Sequence, residues 1–238
     1  TSRLQELELG LLSKMNERHL STRSADPQLA ARIKSFETAF GMQAEMPEVF
    51  DLTKETDETH ALYGLQRGST DGFAWQCLVA RRLLERGVRV VELIDTGSHD
   101  NWDAHGDMQA HRPKALRVDR ALAAMLHDLK LRVLFDDTLV VICTEFGRTP
   151  QINSSLGRDH FASAWSVTLT GAGVKGGSVY GKTDAKGERV AEGETNAGPF
   201  FATIYSALGI KHDKNYHVGS RPVPLVNPGI EPIKEVIA

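Results

Sequence analysis

Long apolar runs are absent from this sequence of 238 residues. No stretch approaches the ~20 consecutive apolar residues that a membrane-spanning helix needs. The first ten residues, TSRLQELELG, contain no continuous apolar segment and therefore do not have the pattern of a signal peptide. A basic excess is also missing, because the net charge is −3 and lysines and arginines are spread along the chain. These absences predict a protein without a membrane span and without nucleic acid as a partner.

Cysteine is scarce, and the motifs of some enzyme classes do not occur. The two cysteines, Cys77 and Cys143, fall in a predicted helix and a predicted strand, where buried thiols are more usual than a disulfide. The sequence has no GxSxG nucleophile elbow and no CxxC pair, which disfavours a Ser-His-Asp hydrolase. Residues 171–176, GAGVKG, match GxGxxG, but a hairpin rather than a helix is predicted after them, so they do not predict a dinucleotide site.

What is present is the composition of a globular protein, 41% hydrophobic and 25% charged, with helical patterning over residues 1–87. Apolar residues recur at helical spacing near the N-terminus, and Asp26-Pro27 is a typical helix start. Residues 43–57, with Pro47, are predicted to be a loop, and a further helix ends at Gly87. We interpret residues 1–87 as a helical region whose apolar stripes serve packing.

Residues 88–238 have the pattern of an α/β core. Apolar runs at 88–94, 139–143 and 165–170 predict three strands, and the apolar face of residues 109–133 predicts a long helix between the first two. Runs without alternation are typical of a parallel sheet covered on both faces, and strand–helix–strand is its usual unit. A hairpin turning at residues 184–187, a helix at 199–208 and an irregular tail complete the prediction.

Two groups of side chains could carry chemistry at the carboxyl ends of these strands, where open α/β sheets bind ligands. Asp103 and His105 lie two residues apart in the loop after the first strand, near His99 and Asp100, which compete for the same role. Glu145 follows the second strand directly and His160 precedes the third. Together Asp103, His105, Glu145 and His160 form a mixed oxygen and nitrogen set that suits a divalent metal ion, with zinc first and Ca, Mg or Mn as alternatives.

Several of these residues have a second interpretation. Arg148 and Arg158 offer planar guanidinium groups that match phosphate or sulfate oxygens, or each could instead form a salt bridge that holds its loop. Glu145 could be a metal ligand, a general base or an ion-pair partner of an arginine. His99 and Asp159 are candidates for supporting the ligands rather than binding the ion.

The motifs EFGRTP (145–150) and GRDH (157–160), with NWDAHGD (101–107) upstream, resemble the family called domain of unknown function 1501. The resemblance extends over nearly the whole chain. It implies a sulfatase-like protein of the alkaline phosphatase superfamily, with a three-layer αβα sandwich, a mainly parallel sheet and divalent metals at the carboxyl ends of the strands. In that pattern Asp103, His105 and His160 bind metal, whereas Phe146 stands where a further ligand is usual.

The resemblance also implies what the protein does. The leading expectation is a hydrolase of sulfate or phosphate esters, acting on a small-molecule or glycan substrate in the periplasm or outside the cell. The alternative is a catalytically silent binding protein on the same fold, for example for sulfated glycans. The family's nucleophile belongs to a first strand that this chain does not show, so the chain is expected to be the C-terminal part of a longer protein. The sequence predicts neither a nucleophile nor an oligomeric state.

Overall fold

The structure is a computed structural model that describes residues 2–22, 27–95 and 102–238. Over these ranges the chain forms six α-helices: α1 (Ser2–Ser21), α2 (Pro27–Phe50), α3 (Asp57–Tyr63), α4 (Phe73–Glu85), α5 (His111–Leu131) and α6 (Ala197–Ala207). Its eight short strands are β1 (Leu139–Ile142), β2 (Gly147–Arg148), β3 (His160–Phe161), β4 (Thr168–Gly171), β5 (Lys182–Thr183), β6 (Val190–Glu192), β7 (Asn215–Val218) and β8 (Arg221–Pro224). None of the described helices is long and apolar enough to cross a membrane.

The chain divides into two compact units, Thr1–Glu55 and Thr56–Ala238. The first unit contains α1, α2 and a short 3-10 helix, Leu52–Lys54, which Asp51 caps by accepting the N–H of Thr53 at 3.1 Å. The predicted loop over residues 43–57 is wrong in its first part, because α2 continues through Pro47 to Phe50. A proline inside a helix costs about 3 kcal/mol, and the burial of Val49, which is 1% exposed, offsets part of that cost.

The apolar stripe of α1 was expected to pack, and it does not. The large apolar side chains of this helix are exposed by half or more; they are Leu4, Leu7, Leu11, Leu12 and Met15. Helical spacing is therefore confirmed for these residues, whereas their burial is not.

The core of the second unit lies where α4 packs against α5, with α3 against both helices. Its buried apolar side chains come from both helices; they are Cys77, Leu78, Val79, Ala80, Ala121, Ala124, Met125 and Leu129. The helix predicted over residues 109–133 is confirmed as α5, preceded by a short 3-10 helix, Met108–Ala110. Burial, with Asp95 contributing repulsion, raises the pKa of the Cys77 thiol to about 12, which keeps it protonated.

A charged network crosses this core. The Arg81 side chain is 1% exposed; its Nε lies 2.9 Å from Asp128 Oδ2 in an ion pair, and a terminal nitrogen donates to Glu85 at 2.7 Å. Arg132 donates to Asp128 Oδ1 at 2.8 Å and also binds Glu85. The Tyr63 hydroxyl lies 3.2 Å from Asp128 Oδ2, and burial raises the pKa of Tyr63, so the hydroxyl stays protonated and donates. These bonds satisfy charges that would otherwise be costly to bury.

The predicted three-layer αβα sandwich with a mainly parallel sheet is wrong. The described strands form four separate two-stranded sheets, and every pair is antiparallel: β1–β4, β2–β3, β5–β6 and β7–β8. β1 does form where the sequence predicts a strand, but it pairs antiparallel with β4, Leu139 opposite Gly171 and Ile142 opposite Thr168. A continuous apolar run is typical of a parallel strand that is buried on both faces, but β1 is only partly buried, so the run does not have that cause here.

The strand predicted over residues 88–94 does not form. Val90 is 84% exposed, so water can satisfy the backbone of this segment and no neighbouring strand is required. The hairpin predicted after β4 does form, but its paired strands are β5 and β6 rather than residues 178–180 and 188–190. At its turn, Asp184 Oδ1 accepts the backbone N–H groups of Lys186 and Glu188. The predicted helix at 199–208 is confirmed as α6, and the tail contains the β7–β8 hairpin.

Candidate metal centre

The short hairpin of β2 and β3 forms one side of the candidate metal site. β2 and β3 pair antiparallel, with Gly147 opposite Phe161 and Arg148 opposite His160. Side chains that face each other across an antiparallel pair lie on the same side of the sheet, so Arg148 and His160 extend together. Residue 147 must be glycine for this geometry, because a Cβ atom there would lie 2.0 Å from the carbonyl oxygen of Ala164.

The loop that carries Asp103 and His105 lies against the turn within this hairpin. Gly106 bridges to Leu156, and the backbone N–H of Asp107 donates to the carbonyl oxygen of Ser155 at 3.1 Å. The approach is close, since a Cβ atom at Gly157 would lie 1.9 Å from the carbonyl oxygen of His105. These backbone contacts bring residues that are more than fifty positions apart in the sequence into one cluster.

Three ligand atoms form a triangle at the centre of the cluster. Asp103 Oδ1 lies 2.7 Å from His160 Nε2 and 3.1 Å from His105 Nε2, and the two Nε2 atoms are 3.1 Å apart. The side chains are exposed by 67% for Asp103, 49% for His105 and 46% for His160, so the triangle is open to solvent. The imidazole ring of His160 also lies 4.4 Å from the ring of Phe146, which packs on its side.

Hydrogen bonds within the cluster cannot account for all three of its contacts. Each Nε2 presents either one proton or one lone pair, so at most two of the three contacts can be hydrogen bonds at the same time. A cation among the three atoms would satisfy all of them. In a tetrahedral zinc site with bonds of roughly 2.0–2.1 Å, neighbouring ligand atoms are about 3.3 Å apart. The observed separations of 2.7–3.1 Å are slightly shorter, so the three donors fit such an ion after small movements.

Electrostatics keep the carboxylate of this cluster ionised. A terminal nitrogen of Arg148 donates to Asp103 Oδ1 at 2.6 Å. The hydrogen bonds from His160 and Arg148 lower the pKa of Asp103 to about 2. At neutral pH Asp103 is therefore a carboxylate, the form that binds metal.

Among the described residues, the His, Cys, Asp and Glu side chains close enough to share one ion are Asp103, His105 and His160. Three of the four predicted ligands thus come together. Glu145 is exposed in the bend before β2, outside this group, and its role as a fourth ligand stays a prediction. His99 and Asp100, predicted near the site, lie outside the described residues.

The two arginines differ. Arg148, whose side chain is 24% exposed, is fixed beside the cluster by Asp103 and by a contact with the carbonyl oxygen of Arg158 at 3.4 Å. Arg158 instead donates to the carbonyl oxygens of Thr149 and Pro150 at 2.6 and 2.5 Å, so it holds its loop through backbone hydrogen bonds, whereas the salt bridge considered from the sequence is formed by Arg148. Anion binding by either arginine stays a prediction.

Sequence reasoning missed Asn153, whose side chain joins the two halves of the site. It donates to the carbonyl oxygen of His105 at 2.9 Å and to Asp159 Oδ1 at 3.0 Å. Asp159, predicted to support the ligands, therefore touches the cluster through Asn153. The available signal was the stretch Asn153 to Gly157, NSSLG, because asparagine and glycine at such spacing are typical of a turn.

Comparison with known proteins gives one family. A family model described as "Protein of unknown function (DUF1501)" matches residues 1–237. No curated protein and no solved structure matches the chain.

Proposed function

The chain belongs to the DUF1501 family of proteins of unknown function, and we propose that its Asp103–His105–His160 cluster binds a divalent metal ion that serves the hydrolysis of sulfate or phosphate esters. The observation that carries the proposal is the triangle of Asp103 Oδ1, His105 Nε2 and His160 Nε2, with sides of 2.7–3.1 Å. Three protein ligands and an open fourth side are the pattern of catalytic zinc sites.

Zinc is the first choice of metal because two of the three donors are imidazoles. Imidazole suits zinc and similar transition metals, whereas Ca²⁺, Mg²⁺ and Mn²⁺ prefer sites made of oxygen atoms. Calcium, magnesium or manganese would need further oxygen ligands, and Glu145 is the one that the sequence proposes.

The reaction class follows from the residues around the cluster and from the resemblance to sulfatase-like proteins. A bound divalent ion supplies Lewis acidity toward an ester oxygen. Arg148 holds its guanidinium 2.6 Å from Asp103 Oδ1, and a sulfate or phosphate group at the cluster would meet this positive charge. His105 and His160 would bind through Nε2 and be held unprotonated there. Export from the cell, which the resemblance implies, remains part of the proposal.

A catalytically silent binding protein is the second candidate, and one observation favours it. In the described part of the chain, the polar partners of the Asp103, His105 and His160 side chains are one another and Arg148. A hydroxyl or thiol nucleophile bonded to the cluster is therefore missing from the described residues. Such a site could hold a metal and an anionic ligand, for example a sulfated glycan, without turnover.

Calorimetric titration of the metal-stripped chain with zinc tests the proposal. One equivalent should bind, and His105→Ala or His160→Ala should each weaken binding by more than the roughly 10–100-fold typical of losing an outer-shell partner. His217→Ala, at an exposed histidine on β7, is the matched control and should bind as the unmodified chain does.

Two outcomes would count against the proposal in different ways. Absence of saturable zinc binding, or equal binding by all variants, would contradict the metal site. Zinc binding without any zinc-dependent hydrolysis of aryl sulfates or aryl phosphates would contradict the hydrolase and favour the silent protein.

A further inference from the structure

Every hydrogen-bonding position of the Asn153 side-chain amide is occupied. Its nitrogen donates to the carbonyl oxygen of His105 at 2.9 Å and to Asp159 Oδ1 at 3.0 Å. Its oxygen accepts the backbone N–H groups of Ser155 and Gly157, both at 3.0 Å. An asparagine amide has two N–H donors and two lone pairs, so this side chain is fully satisfied. Two acceptors on one side and two N–H groups on the other also fix which way the amide points.

The oxygen half of the amide builds a turn. Besides the two bonds to Oδ1, the N–H of Asn153 donates to the carbonyl oxygen of Gly157 at 2.9 Å, and the N–H of Leu156 to that of Asn153 at 3.1 Å. Leu156 has a positive φ of 61°, which an L-residue adopts only when its surroundings require it. The side-chain oxygen therefore stabilises a strained turn between β2 and β3.

The nitrogen half of the amide joins the two segments that carry the metal ligands. One of its bonds reaches the backbone of His105 itself, and the other reaches Asp159, the residue directly before His160. Other side-chain links between these segments are the cluster, in which Asp103 bonds to Arg148 and His160, and a long contact of Arg148 with the carbonyl oxygen of Trp102 at 3.5 Å. Residues 103 and 104 lie outside any helix or strand, so this loop depends on such links for its position.

We infer that Asn153 is a positioning residue of the metal cluster: its side-chain N–H groups hold the segment of His105 against the segment of His160 at the separation that one ion needs. This inference rests on the proposed metal site. It concerns a residue that does not contact the ion. The effect on metal affinity is assigned to the two bonds of the side-chain nitrogen, here called the bridge, and not to the turn that the side-chain oxygen stabilises. Outer partners of this kind typically change metal affinity by 10–100-fold.

Two substitutions separate the bridge from the turn. Asn153→Asp keeps an oxygen that can accept from Ser155 and Gly157, but it places a second oxygen against the carbonyl oxygen of His105 and the carboxylate of Asp159. Asn153→Ala removes both halves. If the bridge positions the cluster, both variants bind zinc about 10–100-fold more weakly than the unmodified chain.

Asn196→Ala is the matched control. Asn196 Oδ1 also accepts a backbone N–H, that of Gly198 at 2.9 Å, but it caps α6 rather than the site. This variant should lower the midpoint of thermal unfolding and leave zinc affinity unchanged. If Asn153 only stabilised the fold, Asn153→Ala would likewise lower the midpoint of thermal unfolding and leave zinc affinity unchanged.

Two further measurements report the local geometry of the site rather than zinc affinity. The visible absorption of bound Co²⁺ reports ligand geometry, and it should weaken or shift in both Asn153 variants and not in Asn196→Ala. Amide hydrogen exchange works without metal: the N–H groups of Asp107 and Met108, bonded to Ser155 and Leu156 at 3.1 and 3.0 Å, should exchange faster in both Asn153 variants.

The outcomes distinguish the inference from the proposed function. Unmodified protein that binds no zinc would overturn the proposed function and the inference with it. Normal zinc affinity and Co²⁺ absorption in Asn153→Asp, in a chain that does bind zinc, would overturn the inference alone. Loss of affinity in Asn153→Ala but not in Asn153→Asp would also overturn it, because the turn rather than the bridge would then be responsible.

Discussion

Replacing Asp128 by asparagine should strongly destabilise the unit formed by residues 56–238. One carboxylate oxygen of Asp128 pairs with the Arg81 guanidinium at 2.9 Å and accepts from Tyr63 at 3.2 Å, and the other accepts from Arg132 at 2.8 Å. The asparagine amide has nearly the same shape, but it carries no charge and turns one acceptor into a donor. In either orientation a donor would then face a donor.

The magnitude follows from the burial of Arg81, which is 1% exposed. Removing one partner of a buried ion pair costs about 3–5 kcal/mol, because the other charge stays buried without compensation. Glu85 still lies 2.7 Å from Arg81 and has a side chain that is 27% exposed, so part of the compensation remains. We therefore expect a loss at the lower end of this range, about 3 kcal/mol in the free energy of unfolding.

Urea unfolding followed by tryptophan fluorescence measures this loss, since Trp75, Trp102 and Trp165 all belong to the second unit. Asp119→Asn is the control, on an exposed position of the same helix, and should change the free energy by less than about 0.5 kcal/mol. If Asp128→Asn stays within about 0.5 kcal/mol of the unmodified chain, the network does not stabilise the core as argued.

Three further predictions concern the site. Arg148→Ala should raise the pKa of Asp103 from about 2 toward its ordinary value of 3.8, because one of the two hydrogen bonds that lower it is lost; a carboxyl titration by carbon NMR that shows no change would contradict this. Since the folded-state pKa is depressed, the stability that Asp103 contributes is present above pH 3.8 and is lost as the pH falls toward 2. Gly157→Ala should weaken zinc binding at least tenfold, roughly the effect of losing an outer-shell partner, because the new Cβ would lie 1.9 Å from the carbonyl oxygen of His105. Gly176→Ala is the control: Gly176 has open space around it, so this variant should bind zinc normally. The zinc-loaded chain should hydrolyse aryl sulfates and phosphates at a measurable, zinc-dependent rate that lies far below the 1–10³ s⁻¹ typical of enzymes, because a nucleophile bonded to the cluster is missing from the described residues; turnover within that range would contradict the importance given to that missing group.

The sequence predicts local elements of the second unit better than their arrangement. The apolar face of residues 109–133 gives α5, the run at 139–143 gives β1, and residues 184–187 give a turn, because each depends on periodicity or turn chemistry within a few residues. The direction of β1 against β4 depends on a partner that lies 26 to 32 residues further along the chain, and a local apolar run does not specify that partner. The parallel sheet was inferred from continuous apolar runs, from the strand–helix–strand order and from the family resemblance, and it is wrong because none of these fixes which strands pair. Cys143, expected to be buried in a central strand, is exposed just beyond the end of β1.

For the candidate site, too, the sequence predicted the residues better than their arrangement. Asp103, His105 and His160 were predicted together from residue type and from the family motif, and the structure brings them together. It does so through a β2–β3 hairpin and the Asn153 bridge rather than through the edge of a parallel sheet. Side-chain bonds such as those of Asn153 depend on tertiary contacts, which residue type and spacing do not specify. Glu145 satisfied the same sequence criteria as the three candidate ligands and lies outside their group.

Anomalous X-ray scattering at the zinc absorption edge, from crystals of the full chain grown with one equivalent of zinc, tests the central claim most directly. The account predicts one peak at roughly 2.0–2.2 Å from a carboxylate oxygen of Asp103 and from Nε2 of both His105 and His160. A zinc peak bound elsewhere, or crystals that show His105 and His160 in their places without zinc between them, would contradict it.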